Sequence, residues 1–183
     1  MLPYPSNRNR AFAFSTLAIG LSFLLPVEPV KSLPVSHFIP IDLAVQAATE
    51  AVKACQAKGY NVTATIVNKE GGRQVVIRGD GAPPHTLENS YNKAYTIITL
   101  GPVQKVLSTT EIVKAVSPPA NPIGNWPLSP SPLPGITFSS GGIAIALGNE
   151  IIGGLGVAGS PGGLIDEDCA QAGLNKIRDR LNP

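Results

Sequence analysis

From Ile41 to Lys58 the apolar residues return at three- and four-residue spacing. Ile41, Ala44, Ala48, Ala51, Val52 and Cys55 fall on one side, and Asp42, Glu50, Lys53 and Gln56 on the other. That period predicts an amphipathic helix. Pro40 suits its start and Gly59 its left-handed C-terminal cap. The period then drops to two over Tyr60–Asn68, where Val62, Ala64 and Ile66 alternate with Thr63 and Thr65. β-Branched alternation of this kind predicts a strand. Lys69-Glu70-Gly71-Gly72 reads as a turn and Arg73–Arg78 as the returning strand of a hairpin. Thr86 is placed to cap a second helix running to about Leu100, with Leu87, Tyr91, Ala94 and Ile98 inward and Gly101-Pro102 as its stop. A shorter helix is expected over Val103–Val116.

Ser117–Pro134 holds seven prolines and the sole tryptophan, Trp126. Proline fixes φ and lacks a donor, so this segment is a long loop and neither helix nor central strand. Gly135–Gly159 is expected to supply two or three strands, with a hairpin turn at Gly148-Asn149. Gly153, Gly154 and Gly156 strip one side of the last strand of bulk, so a helix, a subunit or a ligand approaches that backbone. A final helix runs to about Leu181, with Asp166, Glu167 and Asp168 at its positive end. Helix, hairpin, helix, loop, meander, helix spells an antiparallel sheet with helices on its faces, an α+β layer domain.

The first 32 residues follow another logic. Arg8 and Arg10 precede an apolar run, Ala11–Leu25, and a polar exit, Pro26–Ser32. This is the layout of a secretory signal peptide, too short to span a membrane. Cleavage is expected after Ser32. It leaves a flexible mature N-terminus over 33–40, a domain over 41–183 and a periplasmic or secreted protein. Loss of Arg8, Arg10, Lys31 and Glu28 takes the 14 basic and 12 acidic residues to 11 of each. A neutral domain without a Lys/Arg cluster argues against nucleic acid as a partner. It also shows no basic amphipathic helix for a membrane surface, and no membrane span remains after cleavage.

Two cysteines, Cys55 and Cys169, accompany this oxidising destination. They are compatible with one disulfide closing a loop of more than a hundred residues, or with two buried thiols on helix faces. No CxxCH or CxxC spacing occurs, which excludes c-type haem attachment and weighs against a zinc site.

The candidate chemistry gathers at the corner Gly79-Asp80-Gly81-Ala82-Pro83-Pro84-His85-Thr86. A carboxylate and an imidazole stand there beside a helix start, whose first N–H groups lack partners within the helix. Asp80 either closes the Gly-Asp-Gly turn or orients His85 as a base.

Cys55–Val67, Gly79–Thr86 with Lys93-Ala94-Tyr95-Thr96, and Ile151–Gly163 followed by Asp166-Glu167-Asp168-Cys169-Ala170 and Ala172-Gly173-Leu174 together resemble the GlcG/HbpS-like family. This is the haem-binding and haem-degrading-type domain also found at the C-terminal end of PduO-type proteins. The likeness covers about Ile41–Leu174. It implies a profilin-like fold with a five-stranded antiparallel sheet flanked by helices, non-covalent haem (tetrapyrrole) as cofactor, and a homo-oligomer. For such a ligand His85 is the candidate iron donor. Asp80, Lys93, Tyr91 and Tyr95 are candidate binding residues, through a phenol on iron or an ammonium on a propionate. Two other readings compete: an accessory protein or enzyme of small organic acid (glycolate-type) metabolism, and an oligomeric sensor or scaffold without chemistry. No catalytic residue is assigned.

Overall fold

A computed structural model describes residues 35–116 and 133–181. The expected leader over 1–32 and most of the proline-rich loop, Trp126 included, lie outside the described residues. Within the unit Ser36–Pro183 the described elements are α1 (Ile41–Ala57), β1 (Thr63–Asn68), β2 (Arg73–Arg78), α2 (Thr86–Gln104), α3 (Thr109–Val116), β3 (Gly142–Leu147), β4 (Glu150–Ala158) and α4 (Gly163–Leu181). The strands form an antiparallel sheet in the order β2-β1-β4-β3.

Alternation decides which strand residue faces which layer. Val62, Ala64, Ile66, Val75, Ile143, Ile145, Leu155 and Val157 join α1 and α4 in the larger core. The opposite face carries α2 and α3, around Ile97, Ile112, Val116 and Ala144. The alanine face of α1 is buried as its spacing implies, except that Ile41 at its start remains 58% exposed. Those alanines let α4 come close. A Cβ on Gly173 would overlap the Ala47 carbonyl and stand 3.1 Å from the Ala51 methyl. Cys55 and Cys169, both fully buried, are disulfide-bonded across this pair of helices, with Cα atoms 5.5 Å apart.

The sheet has four strands among the described residues, not the five expected from the resemblance. The segment after the proline-rich loop does not pair as a strand. Ile136 N–H turns back to the Leu133 carbonyl, and Thr137 N–H donates to Thr96 Oγ1 of α2. Its donors are spent on a turn and a side chain instead of on a ladder.

Two helix boundaries also differ from expectation. α2 does not stop at Gly101-Pro102 but runs another turn to Gln104, ending at Lys105 in the left-handed conformation (φ 56°). Proline near a C-terminus forfeits one backbone bond without blocking the last turn. α3 starts only at Thr109 because Ser108 and Glu111 form a capping box. Glu111 Oε2 accepts Ser108 N–H at 3.1 Å, and Ser108 Oγ accepts Glu111 N–H at 3.3 Å.

The glycines of β4 are covered by the chain itself, so they leave no bare strand for a subunit. A Cβ on Gly156 would overlap the Ser90 carbonyl oxygen, and one on Gly154 would stand 2.5 Å from the Ala94 carbonyl. Gly153, facing the other way, is met by the Ile39 side chain. Ile39 is 3% exposed, and its carbonyl accepts Gln74 Nε2 at 2.7 Å. Residues just before α1 are thus anchored on the sheet. His37 Nδ1 adds a 2.7 Å hydrogen bond to Glu150.

Candidate functional site

The corner between β2 and α2 is built by glycine and proline, as its composition implies. Gly81 takes φ +74°, and Ala82 N–H closes the turn on the Gly79 carbonyl. The closure is backbone to backbone; the Asp80 side chain takes no part. Arg78 adds its guanidinium to the Ala82 carbonyl, 2.9 Å from Nε. Asp80 and His85 are both exposed, and no hydrogen bond joins them. His85 occupies the N-cap position without a side-chain cap bond.

Nor are the first two N–H groups of α2 left open to a ligand. Thr86 N–H donates to the Pro83 carbonyl and Leu87 N–H to the Pro84 carbonyl. Thr86 is the first helical residue, not the cap. Its hydroxyl donates to the Pro83 carbonyl at 2.6 Å and lies 2.7 Å from Thr63 Oγ1.

α2 turns a polar stripe toward the sheet. Thr86, Ser90, Lys93, Ala94, Thr96, Ile97 and Gly101 are its buried residues, whereas Leu87, Tyr91 and Ile98 are only half-buried. The face is therefore rotated from the one the apolar residues suggest. Each polar member finds a partner. Thr65 Oγ1 and Ser90 Oγ are 2.7 Å apart, and Lys93 Nζ donates to Asp166 at 2.7 Å and to the Val157 carbonyl at 2.9 Å. Lys93 is 1% exposed and Asp166 3%. The ammonium is thus committed inside the protein, away from the surface and from His85. Asp166 in turn accepts Ser160 N–H at 3.0 Å, which fixes the loop before α4. Gly141 closes over the pair; a Cβ there would stand 2.8 Å from Lys93 Nζ. The neighbouring acid, Glu167, takes Thr110 N–H and hydroxyl and the Gly141 N–H, tying α4 to α3.

Tyr91 and Tyr95 stack at 5.6 Å on the flank of α2. Arg73 lies 3.8 Å over the Tyr91 ring and bonds Glu88, while Tyr91 Oη donates to the Gly71 carbonyl at 3.3 Å. Tyr95 is held between two turns: Cβ atoms on Gly71 and Gly135 would come within 2.5 Å and 2.8 Å of its ring. The five candidate residues thus occupy three places: an exposed corner (Asp80, His85), a ring stack (Tyr91, Tyr95) and the interior (Lys93).

A cleft of about 780 Å³ opens at the other end of α2. It lies between Gly101, Pro102, Lys105, Val106 and Leu107 on one side and Ala146, Gly148, Asn149 and Ile151 of the β3–β4 hairpin on the other. Its walls are largely apolar, and Lys105 is its one charged residue among the described residues. Two features of the fold mark it: proline inside the last turn of α2, and a non-glycine residue in the left-handed position at its end. Neither feature looks like chemistry on its own. Sixteen residue steps along α2 separate His85 from Gly101, roughly 24 Å along the axis.

These residues do not assemble an iron-ligated haem site. Haem wants an apolar slot and an axial His, Tyr, Cys or Met in one place. The cleft has the slot, and none of those donors lines it. Both cysteines are bonded to each other. Among the described residues no buried side-chain nitrogen or oxygen lacks a partner, and no group of three His, Cys, Asp or Glu could hold a metal ion. No described helix is long and apolar enough to cross a membrane.

Comparison with known proteins places this geometry. The family model described as haem degrading protein HbpS-like matches residues 39–175. The crystal structure of HbpS is 31% identical, covers 78% of this chain and 92% of its own, and superposes with a TM-score of 0.64. Protein ORFY of Klebsiella pneumoniae is 26% identical over 81% of this chain and 95% of its own (TM-score 0.67). A PduOC:heme complex, 24% identical over 77% and 96%, has a TM-score of 0.64; at that identity it shows the shared fold alone. A search of the curated proteins finds no match. The fold, the 39–175 match and the likeness to HbpS agree: this chain belongs to the HbpS-like family of haem-degrading proteins.

Proposed function

We propose that this chain is an exported protein that binds haem or a closely related tetrapyrrole without a covalent bond. The observation that carries the reading is the HbpS-like match over residues 39–175, together with 31% identity to HbpS across most of both chains. Non-covalent binding follows from the cysteines: both are in the disulfide, so no thiol is left to attach a vinyl group. The same disulfide supports export, because such bonds persist in oxidising compartments. The cleft supports the ligand class. Its size falls within the roughly 300–1,000 Å³ of small-molecule sites.

An enzyme of small organic acids is less well supported, since nothing joins Asp80 to His85 as base and orienter. The test is a haemin titration of the purified mature chain, followed by absorbance in the Soret region. A saturable shifted band at one haem per chain is expected; a difference spectrum that stays flat rejects the reading. His85→Ala in the same assay asks whether the corner supplies the iron ligand. N-terminal sequencing of the exported protein tests cleavage after Ser32.

A further inference from the structure

The geometry points to a site that recognises the tetrapyrrole by ring and carboxylate, with no part for its iron. We propose that the cleft between the C-terminal end of α2 and the β3–β4 hairpin takes the apolar macrocycle, and that Lys105 meets an acid side arm at the rim. The proposal rests on the tetrapyrrole reading above and specifies where and how the ligand is held.

Three observations converge on it. First, the walls suit a flat apolar body: Gly101, Pro102, Val106, Leu107, Ala146 and Ile151 offer small or aliphatic surface. Leu107, on the cleft wall, is 56% exposed. Aliphatic side chains held in water at a concave site are what a macrocycle would cover. Second, Lys105 is the one described non-glycine residue with positive φ, at 56°. The position ends α2, where glycine is the usual choice because a Cβ is strained in the left-handed region. A lysine kept there at a conformational cost directs attention to its side chain. Among the described residues its ammonium makes no hydrogen bond or ion pair, and it is the single charge lining the cleft. A carboxylate is its natural counterpart. Third, no axial donor of the usual kinds lines the cleft, while the described His and Tyr side chains stand elsewhere. Iron would add nothing to such a site, so metal-free porphyrin should bind as haem does.

The experiment titrates the purified, disulfide-bonded chain with haemin and separately with metal-free protoporphyrin, reading Soret absorbance and porphyrin fluorescence. Comparable affinities are expected. Lys105→Gly should weaken both ligands by roughly fivefold, the upper end for a solvent-exposed ion pair. Its melting temperature should not fall, because glycine adopts the left-handed conformation freely. Ala146→Trp, which fills the cleft, should remove binding of both, and His85→Ala should leave both unchanged. Haemin binding without porphyrin binding overturns the proposal. So does binding of both that ignores Lys105→Gly and Ala146→Trp. Loss of haemin binding in His85→Ala alone moves the site to the corner. In each of these outcomes the haem reading survives. Failure of wild-type protein to bind either ligand rejects that reading itself, and the proposal with it.

Discussion

The buried pair Lys93–Asp166 makes a prediction whose size can be worked out from its surroundings. Replacing Lys93 with Met keeps the length and volume of the side chain but removes the ammonium. Asp166, 3% exposed, then keeps only the Ser160 N–H as partner, and the Val157 carbonyl loses its donor. Breaking a buried pair in this one-sided way costs about 3–5 kcal/mol. A domain of this size has about 5–15 kcal/mol in all. With a urea dependence of ~2 kcal/mol per molar, the unfolding midpoint should fall by roughly 2 M. The double variant Lys93→Met/Asp166→Leu makes the prediction sharper. It removes both charges, and an apolar pair of similar volume is often neutral or better. Recovery should be partial, short by roughly 1 kcal/mol for each of the two groups left without a partner, the Ser160 N–H and the Val157 carbonyl. Urea unfolding of wild type, both single variants and the double variant, with the disulfide intact, closes the cycle. A Lys93→Met loss below about 1 kcal/mol would mean that water reaches Asp166, and the account of a sealed interior would be wrong. A double variant as unstable as the single one would refute it differently, by showing that packing and not charge carries the loss.

Gly156→Ala should destabilise by at least the roughly 1–3 kcal/mol of an overpacked core, because its Cβ would meet backbone of α2 at Ser90 and Ala94. Gly148→Ala, where nothing lies within 4 Å, should cost only the strain of φ 58°, and paired thermal melts separate the two. Cys55→Ala with Cys169→Ala should lose about 5 kcal/mol if the disulfide acts by restricting the unfolded chain, given a separation of 114 residues; urea unfolding of this double variant measures it. The Glu150 carboxyl is held down from 4.5 to about 2, first by its hydrogen bond with His37 and then by Lys69. A depressed carboxyl stabilises above its unfolded value, so this contribution is whole above about pH 4.5 and lost as pH falls toward 2. Glu150→Gln should flatten the acid limb of a stability-versus-pH curve in that window, and an unchanged limb counts against the tether.

How much of this could be read in advance depends on whether burial was carried by apolar side chains. α1, the β1–β2 hairpin and the β3–β4 turn are visible in the sequence because Ala, Val and Ile mark their inner faces with the right period. α2 shows the limit. Its stripe of Leu87, Tyr91 and Ile98 points one way, yet the face against the sheet is Thr86, Ser90, Lys93 and Thr96. Those residues are buried because each has a partner far along the chain: Thr63, Thr65, Asp166 and Thr137. Periodicity sees hydrophobicity and cannot see a hydrogen bond that only the fold creates. The glycines of β4 held the missing half of the message. They announce a close neighbour, and only a helix with a small, polar inner face can come that near a strand backbone.

The same reasoning explains why the corner promised more than it holds. Asp80, His85 and a helix start within seven residues look like a site on paper, because sequence proximity hides where the donors go. Pro83 and Pro84 supply carbonyls to Thr86 and Leu87, so the bend satisfies itself. Lys93, two turns on, is consumed by Asp166. Residues that look reactive in this chain are largely spent on joining layers, and the one described lysine on an apolar cleft sits in a left-handed backbone position that strains its Cβ. A residue that costs the fold something and bonds to nothing within it is better evidence of a ligand than a cluster of fully partnered polar groups. By that criterion the end of α2 at Lys105, not its beginning at His85, is the place to look for the tetrapyrrole.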